Sequence, residues 1–263
     1  MKNNKKLIFI DFDGTFFDHS IKGVPESTKD ALMKVKENKL ADLYLTTGRT
    51  YVYLKNHLEY TKYFDGFVTA NGEYVIYNNQ VLFQNYLDVI VTRNLAKYCL
   101  NQKISMTIYT TDLCYAMIFE KDLKEEFKKE KNYPLEFIED LKIIENLKIH
   151  QICLFTKNEN LEEVENKFPT LDILKWGTYG ADVIPKGISK GKAIKKIIEI
   201  GNYDYNNTYG IGDGENDITM FENVRYSIAM GNALEHVKVK ALETTDEVNK
   251  DGLAKAIFKI IKK

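Results

Sequence analysis

At 263 residues, 44% apolar and 29% charged, the chain is long enough for one large domain or two smaller ones and can bury a real core. A formal net charge of −1 provides no field for nucleic acid or an anionic membrane surface. The basic start is followed by a short apolar run at 7–10, too short for a signal-peptide core, and no stretch approaches a membrane span, so a cytoplasmic protein is expected.

The apolar run 7–10 ends in Asp11-Phe12-Asp13-Gly14-Thr15. A short apolar run bounded by a turn signal reads as a fully buried strand. Two carboxylates two residues apart on extended chain point the same way, and Gly14 then permits a sharp turn. Pro25 and Ser27 open an amphipathic helix to about 39, with Ala31, Leu32 and Val35 on one face. A strand over 42–45 ends in Thr46-Thr47-Gly48-Arg49-Thr50, and Thr50 caps a helix to about 60. This is one βαβα unit, so the first two strands are expected to be parallel neighbours. A short strand from 65 enters a tight turn at Asn71-Gly72, and segments 73–77 and 81–84 flank Asn78-Asn79-Gln80 as a hairpin.

From 85 to 185 the pattern changes to that of a second, α+β unit. A helix over 89–101 precedes strands at 104–109 and 114–119, and a charged stretch over 121–131 reads as a solvated helix face. A strand at 149–155 follows, then a helix at 161–168 and strands near 171–175 and 181–184. Helix-strand-strand thus appears twice. After Pro185 the α/β rhythm returns. Ser189 caps a helix over 190–200, stopped by Gly201-Asn202. A buried strand at 207–211 ends in Gly212-Asp213-Gly214-Glu215-Asn216-Asp217, followed by a helix to about 222, a strand at 226–230, a helix at 233–241 and a last helix from Asp251-Gly252.

Cys99, Cys114 and Cys153 sit singly in apolar patterns and read as buried reduced thiols rather than a disulfide or zinc framework. His19, His57, His150 and His236 are scattered; His19 stands out only because it follows the acidic loop.

An isolated D-x-D-G reads as readily as a solvated turn. What changes the reading is that three core strands end in polar loops, which a parallel sheet opens on one edge, where such sheets place their ligands. The parts suit phosphate chemistry. A carboxylate nucleophile divides a slow hydrolysis into two steps through an aspartyl-phosphate. A dianionic phosphate repels that nucleophile, so a lysine and a divalent cation must neutralise the charge. All-oxygen ligands favour Mg²⁺ over zinc. A second acid must protonate the leaving oxygen.

Asp11-Phe12-Asp13-Gly14-Thr15, the Thr-Gly-Arg after the second strand, Lys190 opening a late helix and Gly212-Asp213-Gly214-Glu215-Asn216-Asp217 resemble, in order, the four motifs of the haloacid dehalogenase-like phosphatases. Pro185-Lys186-Gly187-Ile188-Ser189-Lys190-Gly191-Lys192-Ala193, with Asn71-Gly72, is similar to the Cof-type subfamily, which carries a large α/β cap between the second and third motifs. The resemblance covers essentially the whole chain. It implies a Rossmann-like parallel-sheet core over 1–84 and 186–263, which would be catalytic, and an inserted α+β cap over 85–185, which would choose the substrate.

Position by position, the resemblance implies Asp11 as nucleophile and metal ligand, and Asp13 as general acid/base whose backbone carbonyl also binds the metal. Thr47 and the Gly48 N–H would hold the phosphoryl group, with Thr46 as the fallback, and the Phe12 N–H would join the cradle. Lys190 would hold phosphate and Asp11 together. Asp213 would be the third Mg²⁺ ligand, Asn216 would touch phosphate and Asp217 would orient Lys190 or a metal-bound water. Arg49 reads either as a core ion pair or as a substrate contact. Asp182 and Trp176-Gly177-Thr178-Tyr179 read either as cap packing or as leaving-group contacts. The expected activity is Mg²⁺-dependent hydrolysis of a small phosphorylated metabolite, a sugar phosphate ahead of a cofactor such as pyridoxal phosphate or FMN. A monomer or weak homodimer is expected. The alternatives are a phosphotransferase or phosphomutase of the same fold, and a metal- and phosphate-binding regulatory protein without turnover.

Overall fold

The computed structural model describes residues 2–55, 58–129 and 134–262. His57, the middle of the helix expected to end near 60 and the end of the charged stretch at 130–131 lie outside the described residues. In chain order the strands are β1 (Lys6–Asp11), β2 (Ala41–Thr46), β3 (Gly66–Thr69), β4 (Tyr74–Tyr77), β5 (Gln80–Gln84), β6 (Ser105–Tyr109) and β7 (Cys114–Met117). Then come β8 (Leu135–Phe137), β9 (Gln151–Lys157), β10 (Leu171–Lys175), β11 (Tyr179–Pro185), β12 (Thr208–Gly212), β13 (Tyr226–Ala229) and β14 (Glu243–Thr244).

The chain divides into two compact units, one comprising Met1–Gly48, Glu59–Phe83 and Ser189–Lys263, the other Arg49–Leu58 and Gln84–Ile188. The first is an α/β unit of Rossmann-like type, with a sheet ordered β14-β13-β12-β1-β2-β3-β4-β5. β1 runs parallel to both β2 and β12. Leu7, Ile8, Phe9 and Ile10 are all fully buried, as expected of a central strand covered on both faces. From β1 the chain builds outward through β2 and β3, then resumes on the opposite side with β12, β13 and β14. The strand order therefore reverses between β1 and β12, and the crevice at the carboxyl ends of these strands is where such sheets bind ligands.

Helix Glu26–Glu37 starts after Pro25 and buries Thr28, Ala31, Leu32 and Val35. Asn78 and Asn79 adopt left-handed φ values of 48° and 61°, the geometry that a two-residue hairpin needs between β4 and β5. β4 is antiparallel to β3, so the sheet is mixed at that edge.

The second unit holds a six-stranded sheet ordered β10-β11-β9-β6-β7-β8. Helices Val89–Gln102 and Asn158–Lys167 contribute Leu95, Ala96, Cys99, Leu161 and Val164 to a core shared with Met106, Ile108, Ile152 and Leu154. Asp88 caps the first helix by accepting from the N–H groups of Ile90 and Val91 at 2.9 Å. Helix Lys121–Lys129 buries no residue and has a solvated face, as expected.

Several element boundaries differ from expectation. Residues 49–58 group with the second unit because Val52 packs among Tyr109, Cys114 and Cys153, and Lys55 pairs with Asp112 at 2.5 Å. The helix expected over 233–241 is α-helical only at Glu235–Lys238. The polar loop after β12 begins as a 3-10 turn, Glu215–Asp217, before helix Ile218–Phe221. Strands β8 and β14 and the 3-10 segment Leu141–Asn146 carry no periodic pattern that foretells them. Among the described residues no helix is long and apolar enough to cross a membrane.

Phe9 is fully buried, its ring 5.4 Å from that of Tyr44. Phe9→Ala removes that packing from the strand that carries the acidic loop. It is expected to cost about 3–5 kcal/mol, read as a lower melting temperature by circular dichroism.

Candidate active site

Asp11 ends β1, opposite Thr46 in the β1–β2 register. The Gly14 N–H donates to the Phe17 carbonyl at 2.9 Å, closing the acidic loop. Gly14 has φ +77°, and a Cβ there would lie 2.3 Å from Asp213 Oδ2. Only glycine lets the loops after β1 and β12 approach this closely. Asp213 is held by the Thr15 hydroxyl at 2.7 Å on Oδ1 and the Asn232 amide at 3.1 Å on Oδ2. That amide also reaches the Gly14 carbonyl at 2.9 Å, joining the loops after β1, β12 and β13.

Ser189 caps helix Lys190–Ile200 by accepting from the Lys192 N–H at 3.2 Å. This cap starts the helix at Lys190, whose side chain is fully buried. Its Nζ lies 2.5 Å from Asp11 Oδ1 and 2.7 Å from Asp217 Oδ1. Asp217 Oδ2 accepts from the N–H groups of Asp213 at 3.0 Å and Gly214 at 2.9 Å. Asp217 thus braces both the lysine and the loop after β12. Carboxylate oxygens of Asp11, Asp213 and Asp217 all lie within 4.8 Å of one another.

Burial pushes the Asp11 carboxyl well above the usual range, and the charges of Asp217 and Asp213 add to this; the Lys190 ammonium opposes it. Asp213 is pushed up to about 6 by burial and by Asp217, against the Thr15 hydrogen bond and Lys190. Burial alone would lower Lys190, but Asp11 and Asp217 outweigh it and raise its proton affinity.

This donor set fits a hard divalent cation. The acids outnumber the lysine, the donors are oxygens, and Asp11 and Asp213 retain acceptor capacity while both oxygens of Asp217 are engaged.

Thr46 and Thr47 are both buried, but the Thr46 hydroxyl points to Met220 Sδ at 3.8 Å. The Thr47 backbone is anchored instead, its N–H on the Val68 carbonyl at 2.8 Å and its carbonyl accepting from the Asn71 N–H at 3.1 Å. Ala70, Asn71 and Gly72 have φ values of 49°, 54° and 110°. This run of left-handed residues brings Asn71 Oδ1 within 3.1 Å of the Asn216 amide. Asn71-Gly72 is therefore more than a turn, since it ties the loop after β3 to the loop after β12. Phe12 is buried and stacks on Phe17 at 5.5 Å. Asp13 Oδ1 lies 2.8 Å from His19 Nε2.

The outlying candidates belong to the second unit. The Arg49 guanidinium stacks on Tyr53 at 4.2 Å. Trp176 Nε1 donates to Asp182 Oδ1 at 3.1 Å, and its ring packs edge-on to Phe155. All three cysteines are free and buried; burial pushes Cys99 and Cys114 up to about 12 and Cys153 well above its ordinary value, which makes them inert. His150 is braced between the Asn85 carbonyl and the Thr111 hydroxyl, and His236 pairs with Glu215.

Thr15 lies in the first motif but its role on Asp213 is not readable from it, and Asn232 and Glu73 carry no motif of their own. Glu73 is fully buried, and neither carboxylate oxygen has a hydrogen-bond partner among the described residues. Burial pushes it up to about 8, so it is a neutral acid at neutral pH.

Residues 8–257 match a family profile described as haloacid dehalogenase-like hydrolase. The chain is 34% identical over 256 residues to YkrA of Bacillus subtilis strain 168, named as a candidate phosphatase, covering 97% of both chains. It is 38% identical over 101 residues to the 5-amino-6-(5-phospho-D-ribitylamino)uracil phosphatase YcsE of the same organism, 38% of this chain and 40% of that one. The solved structure of BT4131, a sugar phosphatase of haloacid dehalogenase subclass IIB, superposes with a TM-score of 0.86 at 27% identity. That match covers 97% of this chain and 100% of the other.

Two stability predictions follow from the buried acids. Because the folded-state pKa of Asp213 is raised to about 6 and that of Asp11 is raised as well, the stability these two groups contribute to metal-free protein is fully present below about pH 4, and the Asp213 share is lost as pH rises through about 6. A thermal melt in chelator should fall over that window, and Mg²⁺ should restore the lost stability at pH 7–8. For Glu73 the loss runs from about 4.5 up to about 8. Glu73→Gln should match the parent's melting temperature near pH 4.5 and exceed it at pH 8.

Proposed function

The chain belongs to the haloacid dehalogenase-like hydrolases, enzymes of the phosphatase and phosphotransferase class, and from that premise we propose that it is a Mg²⁺-dependent phosphatase for a small phosphorylated polyol or sugar. The observation that carries this reading is the buried Lys190 ammonium held between Asp11 and Asp217, at the carboxyl end of β1.

In this reading Asp11 attacks phosphorus and the bond to the leaving oxygen breaks, giving an aspartyl-phosphate and an alcohol. Asp13 gives its proton to the departing oxygen. Asp13 then takes a proton from water as that water attacks the phosphorus, releasing inorganic phosphate and restoring the Asp11 carboxylate. Lys190 favours the ionised form of Asp11, against burial and the neighbouring acids, and offsets phosphoryl charge. Thr47, Gly48, Asn216 and the Phe12 N–H form the phosphate cradle; the engagement of Thr46 with Met220 favours Thr47 as the hydroxyl donor. Asp11, Asp213 and the Asp13 carbonyl would hold Mg²⁺, which when bound neutralises charge on the phosphate oxygens. Asp217 acts through Lys190 and the loop after β12.

The substrate class rests on chemistry shared by two relatives. A sugar phosphate and a phosphoribityl compound are both phosphate esters of polyhydroxylated carbon chains. Substrate choice is assigned to the second unit, with Asp182 and Trp176 as its polar candidates.

The test is phosphate release, with Mg²⁺, from a panel of sugar phosphates, polyol phosphates, nucleotides, pyridoxal phosphate, FMN and p-nitrophenyl phosphate. Release should require Mg²⁺, favour the sugar and polyol esters, and fall by at least about 10³-fold in Asp11→Asn. Folded, Mg²⁺-binding protein that releases phosphate from none of the panel would rule the reading out.

A further inference from the structure

Among the described histidines, His19 is the one bonded to a residue placed in the chemistry. After the acidic loop the chain closes a short turn, with the Asp18 N–H on the Gly23 carbonyl at 2.8 Å and the Gly23 N–H on the Asp18 carbonyl at 3.1 Å. One carboxylate oxygen of the buried Asp18 accepts from the Ser20 N–H at 2.8 Å and the Ser20 hydroxyl at 2.6 Å. His19 therefore stands on a braced turn, not on a loose loop. Its imidazole packs edge-on to Phe17 with centroids 5.1 Å apart, and Phe17 stacks on Phe12, the residue between the two acids. From this platform Nε2 reaches Asp13 Oδ1 at 2.8 Å.

The side chains of His19 and Asp13 are 59% and 38% exposed. A polar contact this wet adds little to folding stability. Its consequence falls on orientation. Proton transfer needs one carboxyl oxygen within hydrogen-bond reach of the leaving group, and a bond that holds the other oxygen sets where that one points.

We propose that His19 is a positioning residue for the general acid/base, fixing the rotation of the Asp13 carboxyl by holding Oδ1. The inference rests on the phosphatase reading above and adds no new step to it. As the phosphorus–oxygen bond breaks and the Asp11–phosphorus bond forms, the proton on the departing oxygen comes from Asp13; His19 keeps its own protons throughout. The contribution is greatest for esters whose alkoxide cannot leave unprotonated, the class that includes sugar and polyol phosphates.

The experiment compares kcat/KM for the best alkyl phosphate of the panel with that for p-nitrophenyl phosphate, in the parent, His19→Ala and His19→Gln. This ratio reports events up to departure of the leaving group, and nitrophenolate departs without a proton. His19→Ala should lose about tenfold on the alkyl phosphate, the worth of one hydrogen bond, and less than about twofold on p-nitrophenyl phosphate. His19→Gln, whose amide nitrogen reaches a position similar to Nε2, should recover most of the loss. Melting temperatures of both variants should equal the parent's. Equal losses on the two substrates, or no loss on either, would overturn the positioning role while leaving the phosphatase reading intact. A parent enzyme that releases phosphate from neither compound would overturn both.

Discussion

A lysine ammonium with no solvent exposure, wedged between Asp11 and Asp217, is the constraint on which the first unit depends. Removing such a charge from water costs several kcal/mol, and only close, well-aligned counter-charges offset that. Here they do more than offset it, since the proton affinity of Lys190 rises despite burial. The arrangement requires three pieces of chain, distant in sequence, to meet: the end of β1, the first turn of helix Lys190–Ile200 and the loop after β12. The reversal of strand order beside β1 brings them together. A helix start displaced by one residue would turn the lysine about 100° away from the acids, so the Ser189 cap is part of the site's geometry.

Such convergence needs backbones to pass closer than side chains normally allow. At Gly14 a methyl group would overlap the Asp213 carboxylate, and at Gly72, with φ +110°, it would lie 2.6 Å from the Ser189 carbonyl. The second contact sets the loop after β3 against the cap of the lysine helix. The left-handed backbone at Ala70 and Asn71 is the strained element in that loop. Two bonds help to hold it, the Asn71 N–H donating to the Thr47 carbonyl and Asn71 Oδ1 accepting from the Asn216 amide. Glu73, buried without a polar partner, lies immediately after this loop and adds a stability cost that depends on its protonation.

The parts of the molecule that were legible in the sequence are those encoded locally. The apolar run of β1, the Ser189 cap and the turn asparagines of the β4–β5 hairpin each carry their own signal within a few residues. The preference for Thr47 over Thr46 in the proposed cradle is not local. It depends on where β2 ends and on Met220, far along the chain, occupying the hydroxyl of Thr46. The role of Thr15 within its motif, and Asn232 and Glu73 altogether, were hidden for the same reason, because their significance comes from which other segments approach them. Strand β8 has three residues, Leu135–Phe137, too few for their alternation to stand out, so period-based reading passes over it. Residues 49–58 read as one more core helix, since nothing in the helix pattern announces that Val52 would join the cluster of Tyr109, Cys114 and Cys153.

Asp11 and Asp13 are two residues apart, yet their surroundings differ sharply. The Asp11 carboxyl is buried beside two further acids, while the Asp13 side chain keeps about a third of its surface in water. Environment assigns different roles to chemically identical groups when it treats their charged forms differently. For Asp11 the surroundings disfavour ionisation, so a nucleophile at this position depends on positive charge supplied close by. Lys190 provides one such charge, and the oxygen-rich face formed with Asp213 suits another. In the proposed mechanism the same positive charges that favour the ionised nucleophile would neutralise the oxygens of an incoming phosphate, so that the site would be unreactive until counter-charge is present and best matched to a dianionic substrate. Asp13, wetter and not part of the buried cluster, lacks that requirement, which suits the proton exchange with leaving group and water proposed for it.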